Sequence, residues 1–190
     1  MYSLDLSGKV GVVFGVATDH SIAWFIAQAL DKAGVRVAMT YQNERLRDRV
    51  AKLAESLNQP LLLECDVTKE EDIVKVFDEL GERFQGLDIL VHSIAYANRE
   101  DLGGSFSETG REGFRTAMEI SAYSLLPISK YSAPLMERRG GGSIITLTFQ
   151  ASGRVFPGYN IMGTAKAALE NEVRQLAAEF GTRNIRVNAL

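Results

Sequence analysis

The chain has 190 residues, a formal net charge of −3, one cysteine and two histidines. That length fits one domain with its own core. The slightly acidic balance offers no basic footprint for nucleic acid, and the lone Cys65 with two histidines supplies neither an internal disulfide nor a metal site of the usual ligand count.

Apolar runs bounded by turn residues alternate with stretches of 3.6-residue periodicity, the pattern of repeated βαβ units around a parallel sheet. The first strand is expected near residues 9–16. It carries the longest early apolar run, Val10 to Ala17, which is short, follows Asp5 and lacks a basic leader, so no signal peptide or membrane span is expected and a cytoplasmic location is. Gly15 then opens the turn into a helix near 21–33, with Ser21 at its N-cap and Gly34 at its end. A glycine there lets the backbone approach a pyrophosphate held by helix N-terminal amides.

A second strand near 35–41 leads to Gln42 and a helix near 44–58, whose Arg45, Arg47 and Arg49 alternate with acids and read as a solvated face. A third strand near 60–66 ends at Cys65, a small buried hydrophobe, and Thr68 with Glu71 predicts a capping box before a helix near 69–85. The fourth strand, near 87–95, ends in His92-Ser93-Ile94, and a single long helix is expected over 112–138. Gly140-Gly-Gly142 leads into a fifth strand near 142–149 and so reads as a flexible turn, not a phosphate loop. A helix near 160–181 and a sixth strand near 185–190 complete the series.

Tyr159 stands seven residues before Lys166, just beyond the fifth strand. On a helix that spacing places phenol and ammonium on one face, about 10 Å apart along the axis. Tyr123 and Lys130 repeat the spacing mid-helix and read as packing.

These motifs, Gly15 followed by Ser21-Ile22-Ala23, Thr40-Tyr-Gln42-Asn43, Cys65-Asp66-Val67, His92-Ser93-Ile94, Tyr159 to Lys166 and Arg186-Val-Asn-Ala189, fall at strand ends in one order across nearly the whole chain. In that order they resemble the NADH-dependent enoyl-acyl-carrier-protein reductases, a divergent branch of the short-chain dehydrogenase/reductase superfamily. The resemblance implies a Rossmann-like doubly wound sheet in a single domain, 1–190, that lacks the family's seventh strand and is truncated at its C-terminus. It also implies a homotetramer built partly on the helices at 112–138 and 160–181, with an acyl-carrier-protein thioester as partner.

Carried over residue by residue, the resemblance implies that Gly15, Ser21 and Ile22 hold the pyrophosphate region, that Gln42 lies near the adenosine ribose, and that Asp66 and Val67 flank adenine. Ser93, Ile94 and Ala95 line the nicotinamide, and Tyr96, Ala97, Phe149 and Met162 wall the acyl chain. Tyr159 is then the donor to the enolate oxygen that develops as NADH delivers hydride to the β-carbon, and Lys166 binds the nicotinamide ribose. Phe149 replaces the family's second tyrosine and has no hydroxyl, and Ala95 replaces a frequent glycine. The alternatives are a ketoreductase-type dehydrogenase, which needs a lysine four residues after its tyrosine, and a non-catalytic dinucleotide-binding or assembly protein.

Overall fold

A computed structural model describes residues 4–190. Six parallel strands, β1 (Val10–Phe14), β2 (Arg36–Tyr41), β3 (Leu61–Glu64), β4 (Ile89–His92), β5 (Gly142–Thr146) and β6 (Ile185–Ala189), form one sheet in the order β3-β2-β1-β4-β5-β6. The chain steps outward from β1 to β3, returns to lay β4 beside β1, and steps outward the other way. Open α/β sheets bind ligands where the strand order reverses in this manner, outside the carboxyl ends of the strands.

The expected double-sided burial holds at the centre of the sheet. All five residues of β1 are buried. Val10, Val12 and Phe14 pack beneath α3 (Glu70–Phe84), α5 (Leu125–Glu137) and α6 (Ile161–Phe180), while Val13 faces α1 (Ile22–Lys32) and α2 (Glu44–Ala54). Each large apolar side chain so buried is worth about 1.5–3 kcal/mol over its exposed state. Leu61, Leu62 and Leu63 are only half-buried, because β3 is an edge strand.

Three local expectations need correction. The long helix is two: α4 (Arg111–Met118) and α5 are separated by a π-helical turn at Glu119–Tyr123, where the Ser124 N–H reaches back to Glu119 O and the Ser124 hydroxyl donates to Ile120 O at 2.7 Å. The capping box is not formed, because α3 starts at Glu70 and the Thr68 hydroxyl donates to the Asp66 carboxylate at 2.8 Å instead. Acidic Glu70, Glu71 and Asp72 in the first turn of α3 suit the helix dipole without it. The triglycine is packed rather than loose: Gly141 has φ +131°, and a Cβ there would lie 2.2 Å from Asn184 O.

At the amino edge of the sheet, Asp88 accepts the Val10 N–H and the Lys9 ammonium, each at 2.9 Å, and pairs with Arg139. Burial alone raises its pKa, but these partners outweigh it and hold the carboxyl below the usual range. The carboxyl edge is left free for a ligand.

Candidate active site

Four successive strand ends enclose a cleft of about 370 Å³ at the reversal between β1 and β4, a volume ordinary for small-molecule sites. Gly15, Val16 and Ala17 come from the end of β1, Thr40 and Gln42 from β2, Cys65, Asp66 and Val67 from β3, and Ser93, Ile94, Ala95 and Tyr96 from β4. Seven of the residues assigned to a cofactor therefore share one wall. The others are placed differently.

Glycine is required at position 15 by the protein itself: φ is +97°, and a Cβ would lie 2.0 Å from the Ser93 carbonyl oxygen. Ser21 occupies the N-cap of α1, yet its side chain does not cap. It accepts the Thr18 N–H at 2.9 Å and the Ala17 N–H at 3.2 Å, folding the turn between β1 and α1 into one shape. Ile22 is exposed beside it, and neither residue lines the cleft. The first turn of α1 contains no acidic residue, so its free amides and positive dipole end are left for an anion. A dinucleotide fits this set: a glycine turn and an uncompensated helix N-terminus for pyrophosphate, Gln42 at the end of β2, and the Asp66 turn at the end of β3.

Cys65 is buried at the strand end, as expected, and burial followed by the nearby Asp72 and Asp66 charges pushes its thiol up to about 12. It lines the cleft as a neutral apolar group.

Tyr159 and Lys166 lie at the end of β5, but not on one helix. α6 begins at Ile161, so the seven-residue spacing does not describe two helical turns. Tyr159 is instead the corner of two tight turns. Its N–H donates to Phe156 O at 3.1 Å across Pro157-Gly158, and its carbonyl accepts the Met162 N–H at 3.0 Å across Asn160-Ile161. Its ring packs on Phe149 with centroids 4.9 Å apart, and burial raises the phenol pKa. It borders a second, more open cavity of about 510 Å³ with Phe106, Phe156 and Thr164, separate from the first cleft.

Lys166 is 4% exposed, and its Nζ donates to the Leu147 carbonyl at 2.7 Å. Burial pulls its pKa down to about 8, and two of its three N–H donors remain for another partner. Met162 is buried against Ala117 and Ile161, with Ala97 packed beside them, and borders neither cavity. Tyr96 is half-exposed on the first cleft.

Sequence reasoning gave no role to three polar groups that hold this edge. Ser121, buried in the π-helical turn, accepts the Tyr96 N–H at 2.8 Å and donates to the Tyr96 carbonyl at 2.9 Å. His92 is fully buried between Thr146 Oγ1, 2.9 Å from Nδ1, and Ser124 Oγ, 2.8 Å from Nε2. Ser124 Oγ also donates to Ile120 O and Thr146 Oγ1 to His92 O, so each hydroxyl has a carbonyl partner and the ring bridges them in either tautomer. Burial and then the Lys166 charge push the imidazole pKa down to about 3. Asn160 is the third, at φ +35° and ψ −118°; its position in the Tyr159 motif was the only signal available.

A doubly wound parallel sheet with a glycine turn, an open helix N-terminus and a cleft at the strand reversal defines a dinucleotide-binding oxidoreductase fold of the short-chain dehydrogenase/reductase type. A profile of the enoyl-(acyl carrier protein) reductase family matches residues 15–190. The enoyl-acyl-carrier-protein reductase (NADH) FabI of Nostoc sp. is 47% identical, with 98% of this chain and 73% of that one covered. Among solved structures, the reductase of Anaplasma phagocytophilum in complex with NAD matches with TM-score 0.94 and 43% identity, over 97% of this chain and 70% of that one. The Bacillus cereus reductase with NADP+ and an indole naphthyridinone matches equally, at TM-score 0.94 and 43% identity, over 99% of this chain and 73% of that one. The chain belongs to the enoyl-acyl-carrier-protein reductase family.

Proposed function

We propose that this protein transfers hydride from NADH to the β-carbon of a trans-2-enoyl thioester carried on acyl carrier protein, the reductive step of fatty-acid elongation. The observation that carries the reading is the cleft at the β1/β4 reversal, with its glycine turn and Gln42; the acid-free N-terminus of α1, outside the lining but joined to it through the Ser21–Ala17 hydrogen bond, adds a place for pyrophosphate. Bound there, NADH supplies the hydride; every other requirement falls to the chain.

Hydride addition at the β-carbon builds negative charge on the thioester oxygen, and a donor must meet it. Tyr159 serves, because a partly buried phenol with a raised pKa keeps its proton and donates a hydrogen bond rather than ionising. Lys166, with one N–H on Leu147 O, has two left for ribose hydroxyls, and its buried charge adds positive potential near the reacting oxygen. The half-exposed rings of Tyr96 and Phe149 offer apolar surface to the acyl chain.

NADH is preferred over NADPH because Gln42 follows β2 where a 2′-phosphate needs a cation, and Arg47 is taken up by Glu44 at 2.8 Å. Arg45 is exposed and points to the one way the preference could invert. Cytoplasmic location and a homotetramer complete the reading; the latter is supported by exposed Phe114 and Tyr123 beside the half-buried Glu172, on the face formed by α4, the π-helical turn and α6. The deciding experiment follows NADH consumption with a crotonyl thioester on acyl carrier protein. No turnover with a protein that binds NADH would reject the reductase reading in favour of a dinucleotide-binding protein.

A further inference from the structure

Tyr159 is fixed by two consecutive turns that make opposite demands on sequence. Phe156-Pro157-Gly158-Tyr159 has proline at its second position and Gly158 at φ +77° in its third, with the Tyr159 N–H closing on Phe156 O at 3.1 Å. This is a type II turn built from the residues that favour it. Tyr159-Asn160-Ile161-Met162 closes at 3.0 Å from the Met162 N–H to Tyr159 O, and Asn160 at φ +35°, ψ −118° takes the second position of a type II′ turn. That position belongs to glycine on steric grounds. A residue with a Cβ there is held against its own preference, so the side chain must contribute something glycine lacks.

The contribution is visible. Asn160 Nδ2 donates to Gly103 O at 3.0 Å and lies 3.4 Å from Gly104 O. Those two glycines lie in the segment after β4, between the 3₁₀ turns Arg99–Leu102 and Phe106–Glu108. Ala97 and Leu102 of that segment pack with Tyr159 against Ala117, Ile161 and Met162. Tyr96, at its start, lines the cofactor cleft. The strained residue thus joins the tyrosine's turn to the segment that runs from the cleft wall.

We propose that Asn160 is a positioning residue: its amide ties the Gly103-Gly104 carbonyls to the turn that aims Tyr159, setting the direction of the phenol relative to the cleft. Asn160 touches neither cofactor nor substrate in this role. The proposal rests on the reductase reading for its kinetic arm and stands alone in its spectroscopic arm.

Two variants separate the backbone from the side chain. Asn160→Gly relieves the strained turn and removes the amide, so it should fold at least as well as the parent while losing the anchor. Asn160→Asp keeps the shape and tolerance of positive φ but turns an oxygen toward two carbonyl oxygens. Both should lower kcat about tenfold or more with NADH affinity, read by NADH fluorescence, within twofold of the parent. In protein carrying tyrosine labelled at the ζ-carbon, with the Tyr159 signal assigned from Tyr159→Phe, the phenol of Asn160→Gly should titrate nearer the ordinary tyrosine value than in the parent, whereas Asn160→Asp is read by kinetics alone because its carboxylate itself raises a neighbouring phenol. Retention of kcat within twofold in either variant would overturn the proposal. So would loss of kcat and NADH affinity in equal measure, which would mark general disruption. If the parent binds NADH but reduces no enoyl thioester, the reductase reading fails by itself and the Tyr159 signal decides: an unchanged titration in Asn160→Gly then refutes the positioning role.

Discussion

At the scale of single residues the proposed mechanism gives two side chains different tasks. In that mechanism, removing the Tyr159 hydroxyl takes away a hydrogen bond that strengthens only as the enolate forms. Tyr159→Phe is expected to lower kcat about 100-fold, in the range for one oxyanion donor, with NADH affinity little changed, measured by steady-state kinetics and direct NADH titration. Lys166→Ala should damage both. A reversal of that pattern would exchange the two roles. Phe149→Tyr restores a hydroxyl beside a ring already in contact with Tyr159; acyl-thioester kinetics should change modestly, and Tyr159 should stay indispensable in that background.

The Lys166 ammonium also has a pH signature. Its pKa lies near 8, below the usual lysine value of 10.5, because burial disfavours the charge. Between those values the unfolded chain holds a proton that the folded chain has released, so stability rises with pH through that window. The ribose-binding role proposed for Lys166 needs the charged form. NADH affinity should therefore weaken as pH rises through about 8 while the fold grows no less stable, and affinity that stays flat from pH 7 to 9 would remove the ammonium from the site.

At the scale of elements, His92 joins β4 to β5 and to the start of α5 through Thr146 and Ser124. Its pKa near 3 against an ordinary 6.5 means that the unfolded chain alone takes up a proton between those values. The stability it contributes is lost as pH falls through that window. His92→Phe should flatten the slope of stability against pH below 6.5 in chemical denaturation, at a general cost of about 2 kcal/mol for the two imidazole hydrogen bonds lost, the hydroxyls of Ser124 and Thr146 keeping Ile120 O and His92 O. An unaltered slope would mean that the buried carboxylates alone govern acid sensitivity.

The same elements explain what could be read from sequence. Strands and helices appeared in the right order because double-sided apolar runs and helical periodicity report burial directly, as in β1 and α3. The π-helical turn at Glu119–Tyr123 did not appear, since one extra residue per turn leaves the apolar pattern of α4 and α5 nearly unbroken. Tyr159 and Lys166 were legible as a pair, and the helix expected near 160–181 is there as α6, but it starts at Ile161 and leaves Tyr159 two residues before it, held by the turns at Pro157-Gly158 and Asn160. Ser121, Ser124 and Thr146 are ordinary polar residues in sequence. They acquire meaning only when strands far apart in the chain supply Tyr96 and His92 as partners.

On the scale of the whole molecule, the face joining α4, the π-helical turn and α6 is one of those that expose large apolar side chains. Phe114 is 44% and Tyr123 54% exposed, and between them and Arg111 and Arg115 lies Glu172, whose Oε2 has no protein partner among the described residues. Burial pushes that carboxyl up to about 7. An assembled homotetramer that covers this face should fall to smaller species in Phe114→Glu, seen by sedimentation velocity, while each subunit keeps its NADH affinity. Persistence of the parent mass would place the interface elsewhere.

The reversal of strand order that opens the cleft also sets a timetable for folding. The β1–β2–β3 half closes through neighbouring crossovers, but the pairing of β1 with β4 joins Val10 to Asp88, 78 positions apart. Contacts of such long range pay their loop entropy before they return any packing, which makes them late and slow. Until β4 and the helices α3, α5 and α6 arrive, Val10, Val12, Phe14 and Ala38 form an uncovered apolar face on an otherwise assembled half-sheet. A half-sheet of β1–β3 with α1 and α2 would leave that face bare and would lack the β4 wall of the cleft, Ser93 to Tyr96, so stabilisation by a bound dinucleotide is expected only once β4 has paired.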